Sequence, residues 1–168
     1  MLDLRRRCTA GTHHIEIVIK NNGWFPQPGI EEYAWLAGDF RIEQKEEDLC
    51  LMAIRGIKLG PWEEQGFPNF SGTAAYYIDI TLGNEILEKR AFVVTDRVGD
   101  LLEVEVNGAV AGVRAWPPYR VEVTSLLCAD KNLFVLKVTN SALNFFEGLG
   151  ANTPSGLLSP VWLEIEEP

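Results

Sequence analysis

Five aromatic side chains lie in segments that read as loops, and they are the first candidates for chemistry: Trp62, Phe67, Phe70, Trp116 and Tyr119. An aromatic ring offers a large apolar face and loses little side-chain entropy on binding. The C–H face of a sugar ring stacks on such a surface, while polar neighbours bind its hydroxyl groups. The pattern predicts a carbohydrate site that draws on Trp62, Asn69, Phe70, Asp96, Arg97, Arg114, Trp116 and Tyr119.

The same aromatic residues have a plainer interpretation, in which they close one end of a hydrophobic core. Proline-flanked aromatics often do this, and Trp116 and Tyr119 flank Pro117 and Pro118. We therefore expect Trp116 to be a core residue. Trp62 is the better candidate for binding, because its loop is longer and has fewer neighbours directed at the core.

Neighbouring carboxylates offer a second kind of chemistry. They occur as Glu63–Glu64, as Glu103 and Glu105, and as Glu164, Glu166 and Glu167. A glycosidase needs two carboxyl groups about 5 to 10 Å apart across the scissile bond. The strand pairs are close enough, but their alternation places them on the solvent side. We predict a solvated surface, with an independent glycosidase using paired carboxylates as an alternative.

The sequence predicts no metal or cofactor. His13 and His14 have no cysteine or glutamate at ligand spacing. No GxSxG motif, phosphate-binding loop or dinucleotide fingerprint is present. A structural calcium ion is left open, because Asp39, Asp96 and Asp100 offer oxygen atoms, although no DxDxDG loop occurs.

The three cysteines, Cys8, Cys50 and Cys128, indicate neither a disulfide framework nor a zinc site. Cys50 and Cys128 lie among apolar residues, which predicts buried free thiols.

Charge and hydropathy exclude several classes of partner. The net charge of −9 argues against nucleic acid and against anionic membrane surfaces. No apolar run of about 18 residues predicts a membrane-spanning helix. Arg5, Arg6 and Arg7 resemble the basic start of a signal peptide, but the apolar segment that should follow them is missing. The sequence therefore predicts a cytoplasmic chain, or an extracellular or periplasmic one if it is a fragment of a secreted enzyme. Its oligomeric state stays open.

The elements that would position these residues are β-strands. Apolar and polar residues alternate most clearly at 101–106, 119–124 and 132–140, and the first of these segments ends at the hairpin turn Asn107–Gly108. Similar patterns predict strands at 14–20, 31–36, 39–43, 75–82, 89–95 and 161–166, and an apolar run predicts a strand buried on both faces at 49–54. About ten strands with almost no helical periodicity predict an all-β, antiparallel β-sandwich of the jelly-roll class.

Several short motifs occur in an order that resembles a known family. They are Gly38-Asp39-Phe40, the segment 62–72, Asp96-Arg97-Val98-Gly99-Asp100, Val106-Asn107-Gly108, Trp116-Pro117-Pro118-Tyr119 and Pro154-Ser155-Gly156-Leu157-Leu158. Together they resemble the galactose-binding-like, sugar-binding jelly-roll domain of glycoside hydrolases. The β-galactosidase and β-glucuronidase type shares the order, and the likeness is closer to the C-terminal region of an α-L-rhamnosidase family. It covers roughly residues 30 to 165.

The resemblance implies a fold and an association with carbohydrate enzymes. It does not imply catalysis, because the family's catalytic carboxylates belong to a separate barrel domain. We expect a galactose-binding-like sandwich over residues 30–168, preceded at 1–29 by a strand and loop of the same sandwich or of a preceding module. The expected function is a non-catalytic carbohydrate-binding or accessory domain, whose partner is a saccharide or a glycosidase catalytic domain. The alternative is a purely structural sandwich that binds no sugar.

Overall fold

The computed structural model describes residue 4 and residues 9–20, 34–46, 48–147 and 153–167. It divides the chain into two units, Met1–Gly38 and Asp39–Pro168. The predicted boundary between residues 29 and 30 lies outside the described residues and stays a prediction.

The described residues of the first unit form no strand, so the strand predicted at 14–20 is wrong. Alternation gave Ile15, Ile17 and Ile19 a strand pattern, but a strand also needs a partner for its backbone groups. These three side chains are exposed. Of the strand predicted at 31–36, residues 31–33 lie outside the described part of the chain, and 34–36 are not a strand.

The regular structure of the second unit consists almost wholly of antiparallel strands, which confirms the predicted all-β class. Its described residues form β1 (Arg41–Lys45), β2 (Asp48–Met52), β3 (Thr73–Leu82), β4 (Arg90–Thr95), β5 (Leu101–Val106), β6 (Ala109–Arg114), β7 (Tyr119–Glu122), β8 (Asp130–Thr139) and β9 (Val161–Glu166), with one short helix, α1 (Leu143–Glu147). Single 3-10 turns lie at Glu63–Gln65, Asn84–Glu88 and Thr124–Leu126.

Two sheets pack face to face and form the predicted sandwich. The four-stranded sheet has the order β3-β8-β5-β6, and the three-stranded sheet has the order β7-β4-β9. The chain crosses repeatedly from one sheet to the other. Both sheets turn alternate side chains into one core, whose buried members include Leu102, Val104, Leu136 and Val138 from the larger sheet and Ala91, Val93 and Val121 from the smaller.

The turn at Asn107–Gly108 joins β5 and β6 into a hairpin, as predicted. Both residues have positive φ, 53° and 83°, which this two-residue turn requires. The Asn107 amide also donates to the carbonyl of Leu126 at 2.9 Å and to Oδ1 of Asn132 at 2.9 Å. Strand β6, which pairs antiparallel with β5, was not predicted. Its residues are mostly small and show no clear alternation of apolar and polar side chains, and its pairing with β5 shifts register between Val104 and Glu105.

Burial differs from expectation at two places outside the sandwich core. The segment predicted to be buried on both faces forms β2 in a separate hairpin with β1, and Leu49 and Leu51 are exposed there. This ribbon has only two strands, so one of its faces stays in water. Cys50 is half-buried and Cys128 is exposed, so the prediction of buried thiols is wrong for Cys128.

Candidate functional site

Trp116 lies in the loop between β6 and β7, and 74% of its surface is exposed. The prediction that it plugs the core is therefore wrong. Tyr119 has that position instead: it is 6% exposed, and its hydroxyl donates to the carbonyl of Asp100 at 3.2 Å. The loop continues with Pro117 and Pro118, joined by a cis peptide bond. Since each proline ring fixes φ, the indole stands on a stiff segment of backbone.

One cleft beside Trp116 lies over the outer face of the three-stranded sheet, and we call it the arginine cleft. Its volume is about 460 Å³, within the range of roughly 300 to 1,000 Å³ typical of small-molecule sites. It is lined by Arg90, Phe92, Arg114, Trp116, Pro117, Pro118, Arg120 and Glu122. Phe92 forms its floor, and the guanidinium carbon of Arg120 lies 3.3 Å from the centroid of the Phe92 ring.

Two of the three arginines in this cleft are paired with carboxylates. Arg90 contacts Glu122 at 3.0 Å and Glu166 at 3.5 Å. Arg120 contacts Glu164 at 2.9 Å and Glu166 at 2.5 Å. Hydrogen bonds from Arg90 hold the pKa of the Glu122 carboxyl below its usual value. Partly exposed pairs of this kind add little stability, but they fix both guanidinium groups over the Phe92 ring.

Arg114 is bound differently. Its Nε donates to the carbonyl of Arg120 at 3.0 Å, and its Nη1 donates to the carbonyl of Val113 at 2.9 Å. Within the described part of the chain, Arg114 has no carboxylate partner. Its guanidinium therefore faces the cleft without a directly bound carboxylate.

A second cleft, which we call the loop cleft, lies on the other side of Trp116 and Pro117. Its volume is about 310 Å³. It is lined by Asp96, Arg97, Val98, Gly99, Asp100, Ala115, Trp116, Pro117, Tyr119, Thr153, Pro154 and Leu158.

Backbone contacts hold the loop 96–100 in place beside this second cleft. The Ser159 hydroxyl accepts hydrogen bonds from the N–H groups of Asp96, at 3.0 Å, and Arg97, at 2.8 Å. The N–H of Gly99 donates to the carbonyl of Gly156 at 2.8 Å. The side chains of Asp96 and Arg97 are thus presented from a fixed backbone.

The structure divides the predicted site residues into two groups. Asp96, Arg97, Arg114, Trp116 and Tyr119 come together around the two clefts. The other three, Trp62, Asn69 and Phe70, line neither cleft, and of them only Asn69 is exposed.

The prediction that Trp62 is the accessible tryptophan is wrong. It is 0% exposed, its Nε1 donates to the Tyr76 hydroxyl at 2.7 Å, and its ring packs edge-on against Phe70 with a centroid distance of 5.3 Å. The long loop that carries it folds back onto the core, where the indole N–H finds an acceptor.

Sequence reasoning missed four residues of the arginine cleft: Arg90, Phe92, Arg120 and Glu122. They lie on strands and alternate with core residues, so each was an ordinary outward-facing position. The signal that could have found them is Phe92, a large aromatic residue on the polar side of its strand.

Most of the carboxylates singled out in the sequence have structural partners. Glu63 accepts hydrogen bonds from the Asn144 amide at 2.5 Å and from the Ser155 N–H at 3.0 Å. Glu103 and Glu105 both bind Lys137, at 2.9 and 3.0 Å, and these hydrogen bonds raise the pKa of the Lys137 ammonium group. Glu164 and Glu166 belong to the arginine network described above.

The described residues also bear on metal binding and on membrane-spanning helices. No group of three or more histidine, cysteine, aspartate or glutamate side chains there is arranged to hold a metal ion. None of the helices described is long and apolar enough to span a bilayer.

Comparison with known proteins finds similarity to parts of large glycoside hydrolases. No protein-family profile matches the chain. A protein of Formosa agariphila, provisionally named a β-glucuronidase, is 29% identical over 120 residues, which cover 68% of this chain and 10% of that one. The solved rhamnosidase of Novosphingobium sp. PP1Y superposes with a TM-score of 0.56 at 24% identity, over 84% of this chain and 16% of its own. A provisionally named β-galactosidase of Bacteroides fragilis gives 0.54 at 21% identity, over 70% and 19%.

These similarities confirm the predicted resemblance at the level of fold. The chain has the antiparallel β-sandwich that forms one part of these enzymes, and it spans about a tenth of the length of the curated relative.

Proposed function

We propose that this chain is a non-catalytic carbohydrate-binding domain associated with a glycoside hydrolase, and that Trp116 is its sugar-stacking platform. The exposed indole carries the proposal, because it stands on a stiff loop between two clefts. The position of the fold within much larger glycosidases supports the association with a catalytic domain.

The surroundings of Trp116 suit a sugar ring better than a purely structural role. A tryptophan needed for packing would be buried, as Trp62 is, whereas Trp116 contributes most of its ring to the surface. Guanidinium and carboxylate groups border the ring in both clefts, among them Arg114, Glu122 and Asp96. An apolar face with hydrogen-bonding groups at its edges matches the two kinds of surface that a pyranose presents.

Substitution of Trp116 by alanine should weaken saccharide binding at least tenfold and leave the melting temperature nearly unchanged. The stacking energy is lost, about 0.5–1.5 kcal/mol beyond the area term, together with the apolar contact area itself. Because the ring is mostly exposed, little folding energy depends on it. A glycan array followed by calorimetric titration of the best ligand would measure the change.

Trp162→Ala is the matched control, since Trp162 is 41% exposed on β9 and lines neither cleft. We expect this variant to bind like the wild type. Equal losses in the two variants would refute the assignment to Trp116. If the wild type bound no saccharide at all, the alternative of a structural domain would replace the proposal.

The purified chain should not hydrolyse aryl glycosides. Glu63 accepts hydrogen bonds from Asn144 and Ser155, Glu103 and Glu105 bind Lys137, and Glu164 and Glu166 bind Arg120. A general acid must be free to hold and release a proton. A panel of nitrophenyl rhamnosides, galactosides and glucuronides would test this, with a known glycosidase as the positive control. Turnover by the wild type that a change of Glu103 or Glu105 abolished would contradict the non-catalytic assignment.

A further inference from the structure

Among the described residues, Arg114 is the one arginine of the arginine cleft whose guanidinium has no carboxylate partner. We propose that this cleft binds a saccharide that carries a single carboxylate, such as a uronic acid residue, with the carboxylate on Arg114 and the sugar ring on Trp116. This inference rests on the proposed function, because it names the class of sugar that the same site would take.

The guanidinium of Arg114 is held in position but not satisfied. Its Nε and Nη1 donate to the backbone carbonyls of Arg120 and Val113. An arginine has five N–H donors, so donors on the two Nη atoms remain for a ligand. Two fixed hydrogen bonds reduce the entropy that binding must remove. A planar carboxylate matches the paired N–H groups of a guanidinium better than a hydroxyl does.

The other two arginines of the cleft do not offer the same attraction. Arg90 and Arg120 already share Glu122, Glu164 and Glu166 over the Phe92 ring. A ligand anion at either of them would have to displace a carboxylate of the protein. The cleft therefore has one position for a negative charge, and that position is at Arg114.

The charges around the cleft also set an upper limit on the ligand's charge. Glu122 lines the cleft itself, and Glu164 and Glu166 lie on the same outer face of the three-stranded sheet. The whole chain carries a net charge of −9. A sulfated or multiply phosphorylated sugar would bring several negative charges close to these carboxylates. We therefore expect a monocarboxylate sugar to be preferred over a polyanion.

The first test uses the unaltered protein and pairs of ligands that differ only at one carboxyl group. Calorimetric titration would compare the methyl glycosides of galacturonic and glucuronic acid, each of which carries one carboxylate, with the methyl esters of the same compounds. The acid forms should bind roughly tenfold more tightly, because a hydrogen bond to a charged group is the stronger kind. The preference should shrink as salt is raised, since the site is open to solvent.

The second test assigns the preference to one side chain. Arg114→Gln should bind the acid and the ester equally, and Arg114→Lys should keep part of the preference because it keeps the charge. Arg55→Gln, a change of an exposed arginine outside both clefts, is the matched control for net charge and should retain the preference. Arg97→Gln tests the competing position, since Arg97 lines the loop cleft on the other side of Trp116.

The possible results separate this inference from the proposed function. If the wild type binds neutral sugars or esters through Trp116 as tightly as acids, the inference is overturned and the proposed function stands. A preference that persists in Arg114→Gln and disappears in Arg97→Gln would move the carboxylate to the loop cleft and overturn the assignment. Tighter binding of a sulfated oligosaccharide would overturn the single-charge limit, and absence of all saccharide binding would overturn both proposals.

Discussion

Substitution of Trp62 by alanine should cost about 3–5 kcal/mol of the free energy of unfolding, the range for removal of a fully buried large aromatic side chain. The ring packs against Phe70, and its N–H donates to the Tyr76 hydroxyl, so the change leaves a cavity and removes one hydrogen bond. For a domain of this size the melting temperature should fall by roughly 2–4 °C per kcal/mol.

Trp116→Ala is the natural comparison, because the same residue type is removed from an exposed site. Urea unfolding of the two variants would show a much lower midpoint for the Trp62 variant and a midpoint near the wild-type value for the other. Equal midpoints would mean that burial does not distinguish the two tryptophans as the structure indicates. The far-ultraviolet circular dichroism of both folded variants should remain that of a β-protein.

Substitution of Gly156 by alanine should be comparably destabilising, at about 2–6 kcal/mol. Gly156 has φ of 115°, a conformation that costs an L-residue roughly 1–3 kcal/mol. A Cβ atom there would lie 2.8 Å from the Gly60 carbonyl oxygen and 2.8 Å from two atoms of the Trp62 indole. Overpacking of this kind adds about 1–3 kcal/mol.

Gly108→Ala separates the two contributions. Gly108 also has positive φ, but a Cβ atom built there meets nothing within 4 Å. Its variant should show the conformational cost alone, so the difference in unfolding free energy between the two variants measures the steric part.

In the double variant Trp62→Ala/Gly156→Ala the losses of unfolding free energy should be less than additive, because the indole that the new methyl group would contact is gone. Strict additivity would show that Trp62 and Gly156 do not contact each other.

The strands of the sandwich could be predicted because their pattern is local. In β5, Leu102, Val104 and Val106 alternate with Glu103 and Glu105, and this alternation alone fixes which side faces the core. The prediction of a strand at 14–20 was wrong because pairing between strands is not local. Its alternation is equally regular, but no sequence pattern says whether a partner strand is available to accept its hydrogen bonds.

The two tryptophans show why the candidate site could be predicted only in part. Sequence placed both in loops, which was correct, but the burial of Trp62 depends on Tyr76, Phe70 and Gly156, the last of which lies far along the chain. No local signal carries that information. Trp116, Asp96 and Arg97 could be predicted as site residues because aromatic and charged residues in loops are typical of binding sites. Phe92 and Arg120 were not, because they sit on regular strands.

The connectivity of the three-stranded sheet sets the order in which the domain can assemble. The four-stranded sheet contains the β5–β6 hairpin, closed by a two-residue turn, so part of it can form from neighbouring residues within microseconds. No two strands of the smaller sheet are neighbours in the chain: Thr95 pairs with Tyr119 on one side and with Val161 on the other. Such pairings must close long loops first, and they slow folding. The floor of the arginine cleft, on β4 and β7, therefore forms only after such a loop has closed, and we expect saccharide binding during refolding to follow its formation.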